Sequence, residues 1–380
     1  MLLAVSALAG CSHFRAHNED KYVYVIAKES YLRDRVAAVS NRTGEVTNGE
    51  RLVVLERDRR FVKVKTPDGA VGWMEARLTA DQDLANQFVT LGKDHLHDPV
   101  VAKATARDDV YLHIAPGRET DRFYRLAEGD TMSLLERASV AKPVSPGAAI
   151  AESEKAVISR AEKRAKGKGA SAEAAAEPVL EDWWLVRDAK GQTGWVYSRL
   201  IDVNIPDALE RYAEGQRIVG AYVLAHADDP DSGMINNGQT VTSIPEYVTV
   251  VAGWKTGLPY DFDEVRVFIW NVKKHRYETS LRERNFYGYL PVRVSMQTDP
   301  YGKTPDAAMK LPSFSFKVLA AGAPAPAPNP TTGLVVPAKT ITKTYRLVGN
   351  ICQRVIAPGV APPEEAHPAA EVKKEKRRRR

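Results

Sequence analysis

The chain has 380 residues, 44% of them hydrophobic, which is enough for more than one core and for two or three domains of ordinary size. Its 54 lysines and arginines exceed its 48 aspartates and glutamates to give +6, and much of that excess sits in the run from Lys373 to Arg380. The rest is close to neutral, which speaks against nucleic acid as a partner. Two cysteines, Cys11 and Cys352, make no disulfide framework and have no metal-ligand spacing.

The chain opens with MLLAVSALAGC, an apolar run that ends in small residues before Cys11. This resembles the lipobox of bacterial lipoproteins. The resemblance implies that residues 1–11 are a signal segment, that the Cys11 thiol carries diacylglycerol, and that the bond before it is cut. No charged residues precede the apolar run, so the translation start is expected upstream. Ser12 after the cysteine points, by the same resemblance, to the outer membrane, facing the periplasm or the cell surface. No other segment has the ~18 uninterrupted apolar residues of a membrane helix, which leaves lipid as the expected anchor. Residues 12–21 read as a polar tether.

Short β-branched and aromatic runs follow, YVYVI, RLVVLERD, FVKVKTPDG and AVGWMEARL, broken at Asn48-Gly49 and Asp68-Gly69. This spacing predicts a small all-β barrel over 22–83. Residues 84–99 read as a linker, and a second barrel is expected over 100–203. Gly49, Leu52, Leu55, Glu56 and Arg57 recur as Gly129, Met132, Leu135, Glu136 and Arg137, whereas Val64, Gly69, Gly72, Trp73, Arg77 and Leu78 recur as Val186, Gly191, Gly194, Trp195, Arg199 and Leu200. The offset grows from 80 to 122 positions, so the second copy carries 42 additional residues. They fall within 138–182, a stretch rich in Ala, Glu, Lys and Ser that is expected to leave a hairpin as a solvated excursion with a loosely helical middle.

Beyond Ile205, seven strand-like runs begin at Arg217, Glu246, Glu264, His275, Tyr287, Ser313 and Thr342. Alternation in EVRVFIW and YLPVRVSM predicts half-exposed strands. A β-sandwich over 205–356 is expected, with an immunoglobulin-like order as one option. A Pro/Ala loop at 321–338 interrupts its last strands, and 357–380 read as a disordered basic tail. The fold class is therefore all-β, two small barrels and a sandwich-like domain.

The pattern VYLHIAPGRETDRFYRLAEGDTMSLLERA … WWLVRDAKGQTGWVYSRLI resembles bacterial SH3-like (SH3b) domains, through Ala115-Pro116-Gly117, Leu126, Gly129, Trp184, Val186, Gly191, Gly194 and Trp195. It departs at the insertion and at His113, where a basic residue is commoner. The first copy places Phe61 near the first tryptophan and VAAVSNRTG in place of the proline turn. The resemblance implies binding of peptidoglycan or peptides in the cell envelope. Tyr111, Tyr124, Trp183, Trp184 and Tyr197 are the candidate ligand-binding aromatics, since flat ligands pack against exposed rings. Adjacent tryptophans point to opposite faces of a strand, so one of Trp183 and Trp184 is expected inside and the other exposed. Trp73 and Trp195 are expected to fill the barrel cores.

No catalytic set, metal site or cofactor motif stands out. His95-Leu96-His97 reads as polar linker, and Asp228, Asp229, Asp231, Asp261, Asp263 and Glu264 as turn and cap residues. The expected function is a non-enzymatic, lipid-anchored envelope protein with peptidoglycan or envelope proteins as partners. Two alternatives stand beside it: an enzyme with a catalytic site hidden in 205–355, where Asp228, Asp261, Asp263 or His226 would cluster in a cleft, and a scaffold for protein assembly. The Arg-rich tail reads as a solvated terminus, with attraction to anionic polymer or lipid as the alternative.

Overall fold

A computed structural model describes residues 21–37, 39–143, 178–236 and 238–368. Cys11, the middle of the insertion and the Arg-rich tail lie outside these residues. The chain forms two compact units, one holding the first barrel, the other holding the second barrel together with the C-terminal sheet.

The first barrel is built from β1 (Tyr22–Val25), β2 (Glu29–Arg33), β3 (Arg42–Thr47), β4 (Arg51–Asp58), β5 (Phe61–Lys65), β6 (Val71–Glu75) and β7 (Thr79–Ala80). Helix α1 (Gln82–Asp94) follows, then β8 (Ala102–Ala106), β9 (Val110–His113), β10 (Arg122–Leu126), β11 (Thr131–Ala141), β12 (Leu180–Asp188), β13 (Thr193–Tyr197) and β14 (Ile201–Val203). The strand orders, β3-β2-β6-β5-β4-β1-β7 and β10-β9-β13-β12-β11-β8-β14, are the same order twice. The register repeats as well. Val54 pairs with Val64 and Leu134 with Val186, and each ladder slips by one residue immediately afterwards, at Leu55 and at Leu135.

The two glycines of each Gly-x-x-Gly-Trp have different tasks. Gly69 and Gly191 have φ of +97° and +83°, so they turn the β5–β6 and β12–β13 hairpins where an L side chain is strained. Gly72 and Gly194 lie in the strands, where a Cβ on Gly194 would stand 2.7 Å from the Leu112 Cβ and 3.1 Å from the His113 carbonyl oxygen. Gly194→Ala is accordingly expected to cost about 1–3 kcal/mol by overpacking, read from the urea midpoint of the second unit.

Three expected segments come out differently. The linker 84–99 is mostly α1, started by the Asp81 carboxylate accepting from the Leu84 N–H at 2.8 Å. Leu84, Phe88 and Leu91 recur at helical spacing, and Phe88 is buried. The ends of the insertion are not solvated. β11 and β12 continue past the barrel as a paired hairpin through Ala141↔Leu180, with Ala138, Ser139, Glu181 and Asp182 buried. The start of the expected tail is docked too: Ala366 N–H donates to Leu319 O, and Glu365 accepts from the buried Lys343 at 3.0 Å.

The C-terminal sheet comprises β15 (Arg217–Asp228), β18 (Ser243–Ala252), β19 (Phe262–Asn271), β20 (Arg276–Gln297), β21 (Leu311–Leu319), β22 (Thr340–Val348) and β23 (Ile351–Arg354), with β16 (Ile235–Asn236) and β17 (Gln239–Thr240) as a side hairpin. Neighbours in the sheet follow sequence order, a meander without the crossovers of an immunoglobulin sandwich. The runs at His275 and Tyr287 join into the single strand β20, and the Gly349-Asn350 turn splits the last run into β22 and β23. The sheet curls until β15 faces β20 and β21, enclosing Val250, Val265, Val267, Phe286, Phe314, Phe316 and Tyr345. β19 is buried on both faces, contrary to the half-exposure read from the alternation of EVRVFIW, whereas YLPVRVSM in β20 ends in exposed residues. Leu209, Ile205 and Tyr212 from the segment before β15 cover Ile218, Tyr247, Phe268 and Trp270 on the second face.

Candidate functional site

In each barrel successive residues of the β5–β6 type hairpin alternate between the core and the opposite face. In the first copy Val62, Val64 and Met74 enter the core, so Phe61, Lys63 and Trp73 face the other way. Trp73 therefore does not fill the barrel. It pairs across the strands with Lys63 and with Arg33. Tyr31, Arg33, Arg35, Phe61, Trp73 and Glu75 line an open cleft of about 500 Å3.

The lining combines the aromatic rings of Tyr31, Phe61 and Trp73 with the basic side chains of Arg33 and Arg35. The Arg42 guanidinium sits 3.7 Å from the Tyr31 ring centroid, and the Lys63 ammonium 5.8 Å from that of Trp73. Arg33 donates to Ser40 Oγ at 3.0 Å. The Glu75 carboxyl is held below its ordinary range, chiefly by the hydrogen bond from Arg77, with Arg60 and Arg33 adding to the effect. The chemistry on offer is stacking on rings together with charge-assisted hydrogen bonds to carboxylate or carbonyl oxygen.

The same face of the second copy is closed. Tyr111, His113, Trp183, Trp195 and Tyr197 stand where the first copy has Tyr31, Arg33, Phe61, Trp73 and Glu75, and the Trp195↔His113 and Trp195↔Leu185 pairings repeat those of Trp73. Trp183 is 2% and Trp195 6% exposed, packed with Leu135, Ala138 and Leu185 and covered by Leu91 of α1 and Leu334. Leu334 belongs to the expected Pro/Ala loop, which docks through Ser139 N–H to Gly333 O at 2.7 Å and a bridge from Ala138 to Leu334. His113 and Tyr197 lie 5.1 and 5.6 Å from Trp183 between ring centroids. Arg118 covers Tyr197 at 4.8 Å and grips the buried Glu181 through two bonds of 2.8 Å. Burial pushes the His113 pKa down, against the hydrogen bond its Nδ1 makes with Thr120 O at 3.1 Å.

Trp184 is buried as well, at 7%. Trp183 and Trp184 do occupy opposite faces, yet neither is exposed, because the C-terminal domain clasps the lengthened hairpin on both sides. On the Trp184 face the clasp is ionic. Arg137 Nε donates to Asp261 at 2.8 Å, Nη1 to Ser139 and Asp182 at 3.0 and 3.2 Å, and Nη2 to the carbonyls of Leu258 and Tyr260 at 2.9 Å each. All five donors are used. Burial disfavours the Arg137 charge, but Asp261 and Asp182 outweigh it and its pKa is raised. Its counterpart Arg57 is exposed.

Of the remaining candidates, Tyr111 is half-buried beneath the Arg122 guanidinium at 4.7 Å, and Tyr124 packs against Phe123 at 4.5 Å. The structure thus gathers Tyr111, Trp183 and Tyr197 onto one face and separates Trp184 from them. The residues that sequence reasoning missed are Tyr31, Arg33, Phe61 and Trp73, whose signal was the same two offsets applied to the candidate face. His95 pairs with Asp98 at 2.6 Å, and among the described residues no group of three acidic, His or Cys side chains could hold a metal. Asp229 accepts from Trp270 Nε1 and His275 Nδ1 at 2.7 Å each, and Asp261 serves Arg137. His226 lines a cleft of about 630 Å3 with Glu246 and Trp270, and none of Asp228, Asp261 and Asp263 lines it.

Models of the bacterial SH3 domain match residues 31–80 and 178–202. The protein carries two bacterial SH3 domains. The second match covers β12, β13 and the turn after them, the part of the SH3 domain that follows the insertion. No curated protein matches the chain. Among solved structures, an NlpC/P60 family protein from Bacillus cereus aligns over 68% of this chain and 93% of its own at 10% identity and a TM-score of 0.21. NlpC2 from Trichomonas vaginalis aligns over 70% and 97% at 6% identity and a TM-score of 0.15. Likeness at these scores carries no weight for fold or activity.

Proposed function

We propose that the protein is a non-enzymatic, lipid-anchored component of the cell envelope, held at the outer membrane through Cys11, that binds peptidoglycan through the open cleft of its first SH3 domain. The observation that supports this reading is the contrast between two equivalent faces: Tyr31, Phe61 and Trp73 border a cleft, while Trp183 and Trp195 are buried. The second domain then serves as the mount of the C-terminal sheet. Peptide stems of peptidoglycan offer carboxylates and amides, which suit a basic, aromatic cleft.

Co-sedimentation with purified sacculi is the test. The intact protein is expected in the pellet, and Trp73→Ala or Tyr31→Ala is expected to lower retention at least about ten-fold, as for aromatic anchors at binding surfaces. Retention no greater than that of an unrelated β-protein, or unchanged in both variants, would remove the proposal. The anchor has its own test: a Cys11→Ala form that stays in the membrane fraction refutes lipidation there.

A further inference from the structure

The second unit contains another cleft, of about 310 Å3, between its SH3 domain and the C-terminal sheet. Trp184 forms one wall, and Ile205, Arg217, Trp254 and Thr256 form the others. Trp254 is 66% exposed, yet its Nε1 donates to Gly215 O at 2.9 Å, so the indole is oriented while most of the ring meets solvent. A large aromatic held in place and left uncovered is a ready stacking surface.

Arg217, at the start of β15, lacks what its chemistry requires. Its Nε is sealed from solvent without a hydrogen-bond acceptor, and among the described residues its guanidinium makes no ion pair. Asp182 attracts it only at longer range and is already held by Arg137, Ser139 and the Gly257 N–H. Burial lowers the Arg217 pKa, Asp182 offsets part of that, and the nearby Arg137 lowers it further. Arg107, on the same rim, is committed to Asp202 through Nε at 2.7 Å. A half-buried charge whose Nε is sealed without an acceptor is costly, and an anion in the cleft would relieve part of that cost.

We propose that this cleft binds a small ligand that carries a carboxylate on an apolar or flat body, with the carboxylate on Arg217 and the body against Trp254. The site is independent of the first domain's cleft and of the reading given for it.

The probe is N-acetyl-alanyl-alanine, with its C-terminal amide as the uncharged twin, added to the full chain labelled with 5-fluorotryptophan. The fluorine signal assigned to Trp254 through Trp254→Phe should move and saturate with the acid at concentrations up to about 10 mM, the range of a weak single-site contact. The amide should leave it in place. Arg217→Gln removes a half-buried charge without an ion pair, so the variant should fold with an unchanged or higher melting temperature and bind the acid at least ten-fold more weakly. Trp73→Ala should bind it as well as the unmodified chain, which separates this site from the sacculus-binding cleft. Equal shifts with acid and amide, no Trp254 shift with the acid, or undiminished binding by a folded Arg217→Gln overturns the proposal.

Discussion

Alanine in place of Trp195 is expected to destabilise the second unit by about 3–5 kcal/mol, whereas alanine in place of Trp73 should cost the first barrel no more than about 1 kcal/mol. The two residues hold the same place in the same motif, so propensity and strand geometry cancel in the comparison. Trp195 is 6% exposed within a cluster that includes Trp183, Leu135 and Leu185, and its removal leaves a cavity that rigid neighbours cannot close. Trp73 is half-buried at the edge of an open cleft, where water can take the place of the ring. Hydrogen exchange resolved by mass spectrometry provides the measurement, because it reports each unit separately where a single melting curve would not. Faster exchange in peptides from 102–203 for Trp195→Ala, with peptides from 22–80 unchanged in Trp73→Ala, is the expected pattern. Equal protection losses in the two variants would refute the assignment of one face as interior and the other as a site.

The second large effect concerns Arg137. Arg137→Met keeps the length of the side chain and removes its charge, leaving Asp182 and Asp261 without their cation. Breaking a buried pair from one side costs about 3–5 kcal/mol. The urea midpoint of the second unit should fall accordingly, and local exchange should rise first around 256–262 and 137–141, the two sides of the clasp. Arg57→Met, in the equivalent but exposed position, should stay within about 0.5 kcal/mol of the unmodified protein. If Arg137→Met unfolds no more readily than Arg57→Met, the clasp does not hold the second SH3 domain to the sheet.

Both barrels were legible in the sequence because their signals are local. Asn-Gly and Asp-Gly turns, short β-branched runs and a repeated Gly-x-x-Gly-Trp each act over a few residues, and the growth of the offset from 80 to 122 placed the insertion. What the sequence did not show was the surroundings of each face. Leu185 in place of Lys63 and Trp183 in place of Phe61 are the visible traces of a covered surface, but the residues that cover it, Leu91 and Leu334, lie far along the chain. The same cause accounts for β19: period-two alternation tells the two faces apart, and it cannot report that a segment such as Ile205–Tyr212 lies on the second one. Tryptophan is usually buried, which points Trp73 and Trp195 to the cores, whereas the strand phase set by Val62, Val64 and Met74 places Trp73 on the opposite face and the repeated pairing with Leu185 places Trp195 on the equivalent one.

The lengthened β11–β12 hairpin has one more consequence. Its two strands leave the ladder side by side, with Ala141 opposite Leu180. The ends of whatever chain joins them are therefore already at closing distance, and the entropic cost of extra residues between them grows only logarithmically, roughly 0.6 kcal/mol per doubling of length. The fold registers that connection as two fixed ends and is nearly indifferent to its length. Such a position is a natural graft point, where sequence can be gained, lost or exchanged over generations without retuning the domain that carries it.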